Sequence, residues 1–373
     1  MKLEPLPFDA EAALYQEQAA ALLEAYRAGD PVAIRYIQQR HSKFTDTEAD
    51  AQLVLARWYE FRDWPALTQY TEAASQQGSP TWIFESASEA VINGDATALD
   101  AMLRDYPELV RARSSRIMSF DPPAHRATLL HYVAANGVEG YRQRTPKNAV
   151  DIAKTLLRSG SDPDALADMY GGKCTTLSML VSSCHPHEAG LQSQLADTLL
   201  DFGASVEALG EGNWTSPLMT ALAFGYQETA QTLVRRGARV DNIAAAAGLG
   251  RLDDAKRMLS SADALSRQRA LALAAQHGQV DVVRLLLDAG EDPNQYNPEG
   301  NHSHSTPLHQ AVWSEHLDVV RLLIERSASL TMRDKAFDGT PLDWALHGKK
   351  TAMEDYLRSQ GAKTSTELDN QSD

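Results

Sequence analysis

A four-residue phrase that returns at a near-fixed interval constrains this chain more than any other feature. Thr306-Pro307-Leu308-His309 recurs 34 residues later as Thr340-Pro341-Leu342-Asp343. Earlier versions stand at Ser216-Pro217-Leu218-Met219 and Thr128-Leu129-Leu130-His131. Each opens an alanine-rich stretch, as in His131-Tyr132-Val133-Ala134-Ala135-Asn136-Gly137. A Leu-Leu segment follows, either Val319-Val320-Arg321-Leu322-Leu323-Ile324 or, closed by glycine, Val282-Val283-Arg284-Leu285-Leu286-Leu287-Asp288-Ala289-Gly290. A unit of ~33 residues in this order builds its core by stacking on its neighbours.

The physics of the unit is readable residue by residue. Threonine caps free N–H groups at a helix start, and proline in the first helical position gives up a donor that had no partner there. Small alanines on this first helix let a second helix pack close. Leucines at i, i+3 and i+4 on the second helix form the stripe that a neighbour buries. The trailing glycines (Gly160, Gly203, Gly237, Gly290, Gly361) permit the left-handed turn that ends the second helix.

In motif order and spacing the chain resembles the ankyrin-repeat family. That resemblance implies an all-α solenoid, with about eight repeats between residues 82 and 363. The first is degenerate, around Ala90 to Leu103. The second, from Thr128, carries an insertion at Arg142 to Asn148. The third, from Thr175, carries another at His185 to Gln192, and the fifth, around Ile243 to Leu259, is truncated. The fourth starts at Ser216, and the sixth, seventh and eighth are built on Leu271, Thr306 and Thr340. Residues 1–80 read as helix, turn, helix, with Asp30-Pro31 and Asp63-Trp64-Pro65 as starts. They resemble a helical region that precedes the repeats in some bacterial members, and the expectation is an N-terminal helical cap over the first repeat. The polar residues 364–373 lack a stripe and are expected to form a disordered tail.

Composition narrows the function classes. A net charge of −15 opposes nucleic acid and anionic membranes, both of which bind through Lys and Arg. Two cysteines, Cys174 and Cys184, make no disulfide framework and fit a reducing compartment. No secretory signal is read at the N-terminus, and no run approaches the ~18 apolar residues of a membrane helix. The expectation is a cytoplasmic, bacterial protein, monomeric by default.

The candidate chemical sites divide unevenly. Cys174, Cys184, His185 and His187 have a zinc-like composition. A helix between the two cysteines would hold them ~12 Å apart, however, at 1.5 Å per residue. Loop residues, with no metal and no cofactor, are the expectation there. A metal- or ligand-dependent enzyme or sensor at Cys184/His187 is the alternative reading, and a secreted host-directed effector is another. His131 and His309 fall where the family uses histidine to order adjoining turns, while His302 and His304 lie in a linker. No Gly-x-Ser-x-Gly, phosphate-loop, His-Glu-x-x-His or Cys-x-x-Cys pattern is present, so no catalytic residue is assigned.

What remains is a surface for recognition. The family docks protein partners on the face made by its turn tips and first helices. Trp214, Trp313, Trp344, Tyr296 and Phe337 fall at those places and are the candidate partner-binding residues, since aromatic side chains dominate binding hot spots. Trp58 and Trp64 are expected in the core. The basic insertion with Arg142, Arg144 and Lys147 reads either as part of a binding edge or as a tolerated surface loop. The expected role is therefore a non-catalytic interaction module for a protein partner.

Overall fold

The computed structural model describes residues 1–119, 123–135, 139–169, 171–207, 209 and 216–370. They fall into two compact units, Met1–Pro217 and Leu218–Asp373. Both are helical, apart from one short hairpin.

The first unit opens with α1 (Ala12–Arg27), α2 (Pro31–Arg40), α3 (Glu48–Trp58) and α4 (Trp64–Ser75). Their starts are chemically explicit. The Asp30 carboxylate accepts from the Val32 and Ala33 N–H groups with Pro31 beside it, and Asp63 accepts from Ala66. Tyr15, Leu55, Tyr59, Phe61 and Leu67 form the core of this region, and Trp58 and Trp64 pack against it partly buried. Helix α4 lies against α5 (Pro80–Asn93), whose start is capped by Ser79.

From α5 onward a two-helix rhythm sets in. Helix α5 is followed by α6 (Ala96–Asp105), α7 (Leu129–Val133) by α8 (Ala149–Arg158). A hairpin of β1 (Ala167–Met169) and β2 (Gly172–Cys174) pairs Ala167 with Cys174, and leads into α9 (Thr176–Leu180). Helix α10 (Cys184–Glu188) then precedes α11 (Gln192–Asp201). First helices stack as α5–α7–α9 and second helices as α6–α8–α11. This is the arrangement that the alanine and leucine patterns require.

The second unit repeats the scheme. Helix α12 (Pro217–Ala223) begins at the boundary, then come α13 (Gln227–Arg235), α14 (Ile243–Gly248), α15 (Leu252–Leu259), α16 (Ala264–Gln276) and α17 (Val280–Asp288). They are followed by α18 (Pro307–Trp313), α19 (Leu317–Glu325), α20 (Pro341–His347), α21 (Thr351–Ser359) and α22 (Ser365–Asp369). Within the unit α14, α16, α18 and α20 stack in sequence, as do α15, α17 and α19. Leu286, Leu323 and Leu357 of the second helices are fully buried. Each removes from water an apolar side chain worth about 1.5–3 kcal/mol.

Three expectations need correction. The segment 364–373 contains helix α22, because the Thr364 hydroxyl and Glu367 carboxylate cap each other's backbone N–H groups. The insertion at His185 begins in the one-turn helix α10, in which Pro186 is tolerated because first-turn N–H groups have no helical partner. Arg142 is no surface residue: only 4% of it is exposed. It anchors a buried ion-pair network described below.

Candidate functional site

The motif histidines show how the stacks are locked. The Thr306 N–H and hydroxyl both lie against His309 Nδ1, the hydroxyl at 2.8 Å, and His309 Nε2 donates to the Gly339 carbonyl at 3.1 Å. A carbonyl can only accept, so the proton sits on Nε2 and Nδ1 is the acceptor. His131 repeats the geometry, with Thr128 at 2.9 Å and the Cys174 carbonyl at 3.3 Å. Each histidine thus ties its own helix start to the turn that opens the next repeat. Burial pushes both imidazoles down to about 4, so they are neutral. Their nitrogens are committed to backbone, which is the ordering role the family resemblance implies.

In the last repeat Asp343 takes the histidine's place. Its Oδ2 accepts from the Thr340 N–H at 2.8 Å, the Thr340 hydroxyl at 2.9 Å and the Ser365 N–H at 2.8 Å. Partial burial pushes this carboxyl up, but donation from Ser365 and Thr340 outweighs it and holds the group below its ordinary value. The Ser365 side chain is a further partner of the carboxylate.

Around Asp343 the second unit forms a concave pocket of about 850 Å³. Trp313 contributes from the end of α18, Trp344 and His347 from α20, and Phe337 from the turn before it. Phe224, Gln276, His302, Gln310, Ser314 and Ser365 also line it. The rings pack edge to face: Trp313 and Trp344 lie 6.0 Å apart at 81°. His304 sits between Phe337, at 6.1 Å, and Trp344, at 5.8 Å. The Trp344 indole N–H donates to Asp334 at 2.9 Å, which fixes the ring. Phe337 is 79% exposed and Trp313 44%.

Three of the five candidate residues, Trp313, Trp344 and Phe337, therefore line one pocket. Tyr296 stands apart from its lining: its hydroxyl donates to the Arg333 carbonyl at 2.7 Å, and the Lys335 ammonium lies 3.9 Å from its ring centre. Trp214 lies outside the described residues. His302, assigned to a linker, reaches across to donate to the Ala223 carbonyl at 3.0 Å and joins the wall. Nothing in the local sequence around His302 signals this. Cys174 is buried and Cys184 exposed.

The first unit holds a second polar concentration. Arg142 meets Glu85 at 2.6 Å, Glu139 at 2.8 Å and Glu89 at 3.1 Å. Arg116 meets Glu139 at 3.3 Å, donates from Nη2 to the Tyr141 hydroxyl oxygen at 2.6 Å, and lies 4.5 Å from the Phe61 ring centre. Tyr132 donates to Glu139 at 2.8 Å and Tyr70 donates to Glu85. Burial pushes the Glu139 carboxyl up, yet the Arg116 and Arg142 guanidiniums hold it well below the usual carboxylate range. The network joins the N-terminal helices to α5 and the segment before α8, and its members are engaged with one another.

Residues 242–334 match the family described as ankyrin repeats (3 copies). The ankyrin repeat and KH domain-containing protein mask-1 of Caenorhabditis elegans is 24% identical over 59% of this chain. The NF-kappa-B inhibitor cactus of Drosophila melanogaster is 32% identical over 28% of it. The chain spans 8% of the first relative's length and 21% of the second's. The human ASB11 ankyrin repeat domain, a solved structure, is 22% identical, covers 73% of this chain and 95% of its own, and superposes with a TM-score of 0.38.

Proposed function

The chain is an ankyrin-repeat protein, and on that premise we propose that it is a non-catalytic interaction module whose second unit holds a protein partner in the pocket of Trp313, Trp344 and Phe337. One observation carries this reading: three large aromatic rings at repeat positions surround a single concavity, two of them openly exposed. Isolated exposed rings are ordinary, whereas rings gathered in a pocket mark interaction sites. The cactus relative is named as an inhibitor of another protein, which fits the same kind of role. Tyr296 and Trp214 are proposed as outlying contacts. A cytoplasmic bacterial setting and a monomeric state complete the proposal.

The non-catalytic part rests on the histidines. His131 and His309 are neutral and hydrogen-bonded on both nitrogens, so neither is available as a base near neutral pH.

An affinity capture from source-cell lysate tests the reading, comparing wild type with a Trp313→Ala, Phe337→Ala double variant of unchanged melting temperature. A protein retained by wild type and lost by the variant is expected. Equal retention by both would move the partner site away from this pocket.

A further inference from the structure

The charge pattern of the pocket says what kind of side chain enters it. Among its lining residues Asp343 is the one carboxylate, and no lysine or arginine is present. The carboxylate is held in its ionised form by the Thr340 N–H, the Thr340 hydroxyl and the Ser365 N–H on Oδ2, with the Ser365 side chain as a further partner. The rings of Trp344, Trp313 and Phe337 line the same pocket. An aromatic face is the negative pole of its ring and attracts cations. The molecule already uses this attraction at the edges of the region. The Lys350 ammonium lies 5.9 Å from the Trp313 ring centre while paired with Glu315 at 2.8 Å, and Lys335 caps Tyr296.

We propose that this pocket seats a cationic side chain, an arginine of a basic peptide segment, with its guanidinium against the tryptophan rings and paired with the Asp343 carboxylate. The inference rests on the reading of this pocket as the partner site and adds the chemistry of the occupant. Arginine suits the pocket better than lysine. Its flat, weakly hydrated guanidinium stacks on an indole and presents several donors at fixed angles, whereas an ammonium is a compact, strongly hydrated point charge. A carboxylate beside flat rings matches the former shape. The formal charge of −15 on the chain acts in the same direction, drawing basic segments toward the protein at low salt.

The test is selection of displayed random peptides on the full-length protein, followed by affinity measurements on the enriched sequences. The expected result has three parts: enrichment of arginine over acidic and neutral residues, loss of binding in Trp313→Ala, and weaker binding as salt rises from about 50 to about 300 mM. Asp343→Asn is expected to weaken these peptides by about tenfold, the factor for one hydrogen bond to a charged group. Because Asp343 also caps α20, a second variant is needed: Ser314→Lys adds a positive charge at the pocket wall without touching that cap, and is expected to weaken them as well. Enriched peptides that need Trp313 but carry no cation would overturn the arginine assignment and leave the partner site standing. Peptides indifferent to Trp313→Ala and Phe337→Ala, or no enrichment at all, would overturn both.

Discussion

His131, His277 and His309 are each pushed down by burial to about 4, against an ordinary value of 6.5. His277 spends its Nε2 on the Leu222 carbonyl at 2.8 Å, as the two motif histidines spend theirs on turns. The folded chain keeps these rings neutral at pH values where the unfolded chain protonates them. Above about pH 6.5 neither state takes up a proton, so the full stability is present. As pH falls from there toward 4, each ring penalises folding, by about 2 kcal/mol at pH 5. Thermal melting followed by circular dichroism should therefore show a flat Tm above pH 7 and a fall between pH 6.5 and 5, before most carboxylates titrate. A Tm unchanged across that interval would mean that the histidines are not held as described. At this scale the sequence was informative, because a histidine three residues after a capping threonine has few ways to satisfy both nitrogens. The fate of Asp343 was less legible. Its position marks it as a cap, but only the fold brings the Ser365 N–H to it.

Helix α16 meets α14 through alanines, and Ala246, Ala247, Ala270, Ala274 and Ala275 have no exposed surface. Side chains this small set the distance between the two helices, and no space is left for a larger one. Ala274→Leu is thus expected to cost about 1–3 kcal/mol through overpacking, read as a lower urea midpoint with an unchanged slope. A neutral effect would show slack in the stack. Most elements were legible for the same reasons that make them stable: alanine runs, leucine stripes, and aspartate, serine or threonine followed by proline. Helix α22 was missed although its signal was present, since Thr364 and Glu367 have capping-box spacing. Without an apolar stripe that signal was outweighed. The β1–β2 hairpin has three residues a strand, too short for an alternating pattern to register.

Across the whole molecule, long-range pairing decides what could not be read. Glu85 and Arg142 are 57 residues apart, and Arg142 looked like part of a basic surface insertion because the acids that neutralise it are Glu85 and Glu89 on α5 and Glu139. The pocket was half legible. Repeat positions put Trp313, Trp344 and Phe337 on the side where first helices and turns meet, while Phe224 and His302 join them only through the stacking of distant repeats. The central claim is that this pocket receives a protein, and a photo-crosslinking amino acid at position 337 tests it most directly. Phe337 is the most exposed large apolar residue described, so the replacement leaves the core untouched. Irradiation in cells should yield a discrete higher-mass adduct containing a second protein, absent when the same group replaces Leu14, an exposed position in the first unit. No adduct from position 337, or the same adduct from both positions, would contradict the claim.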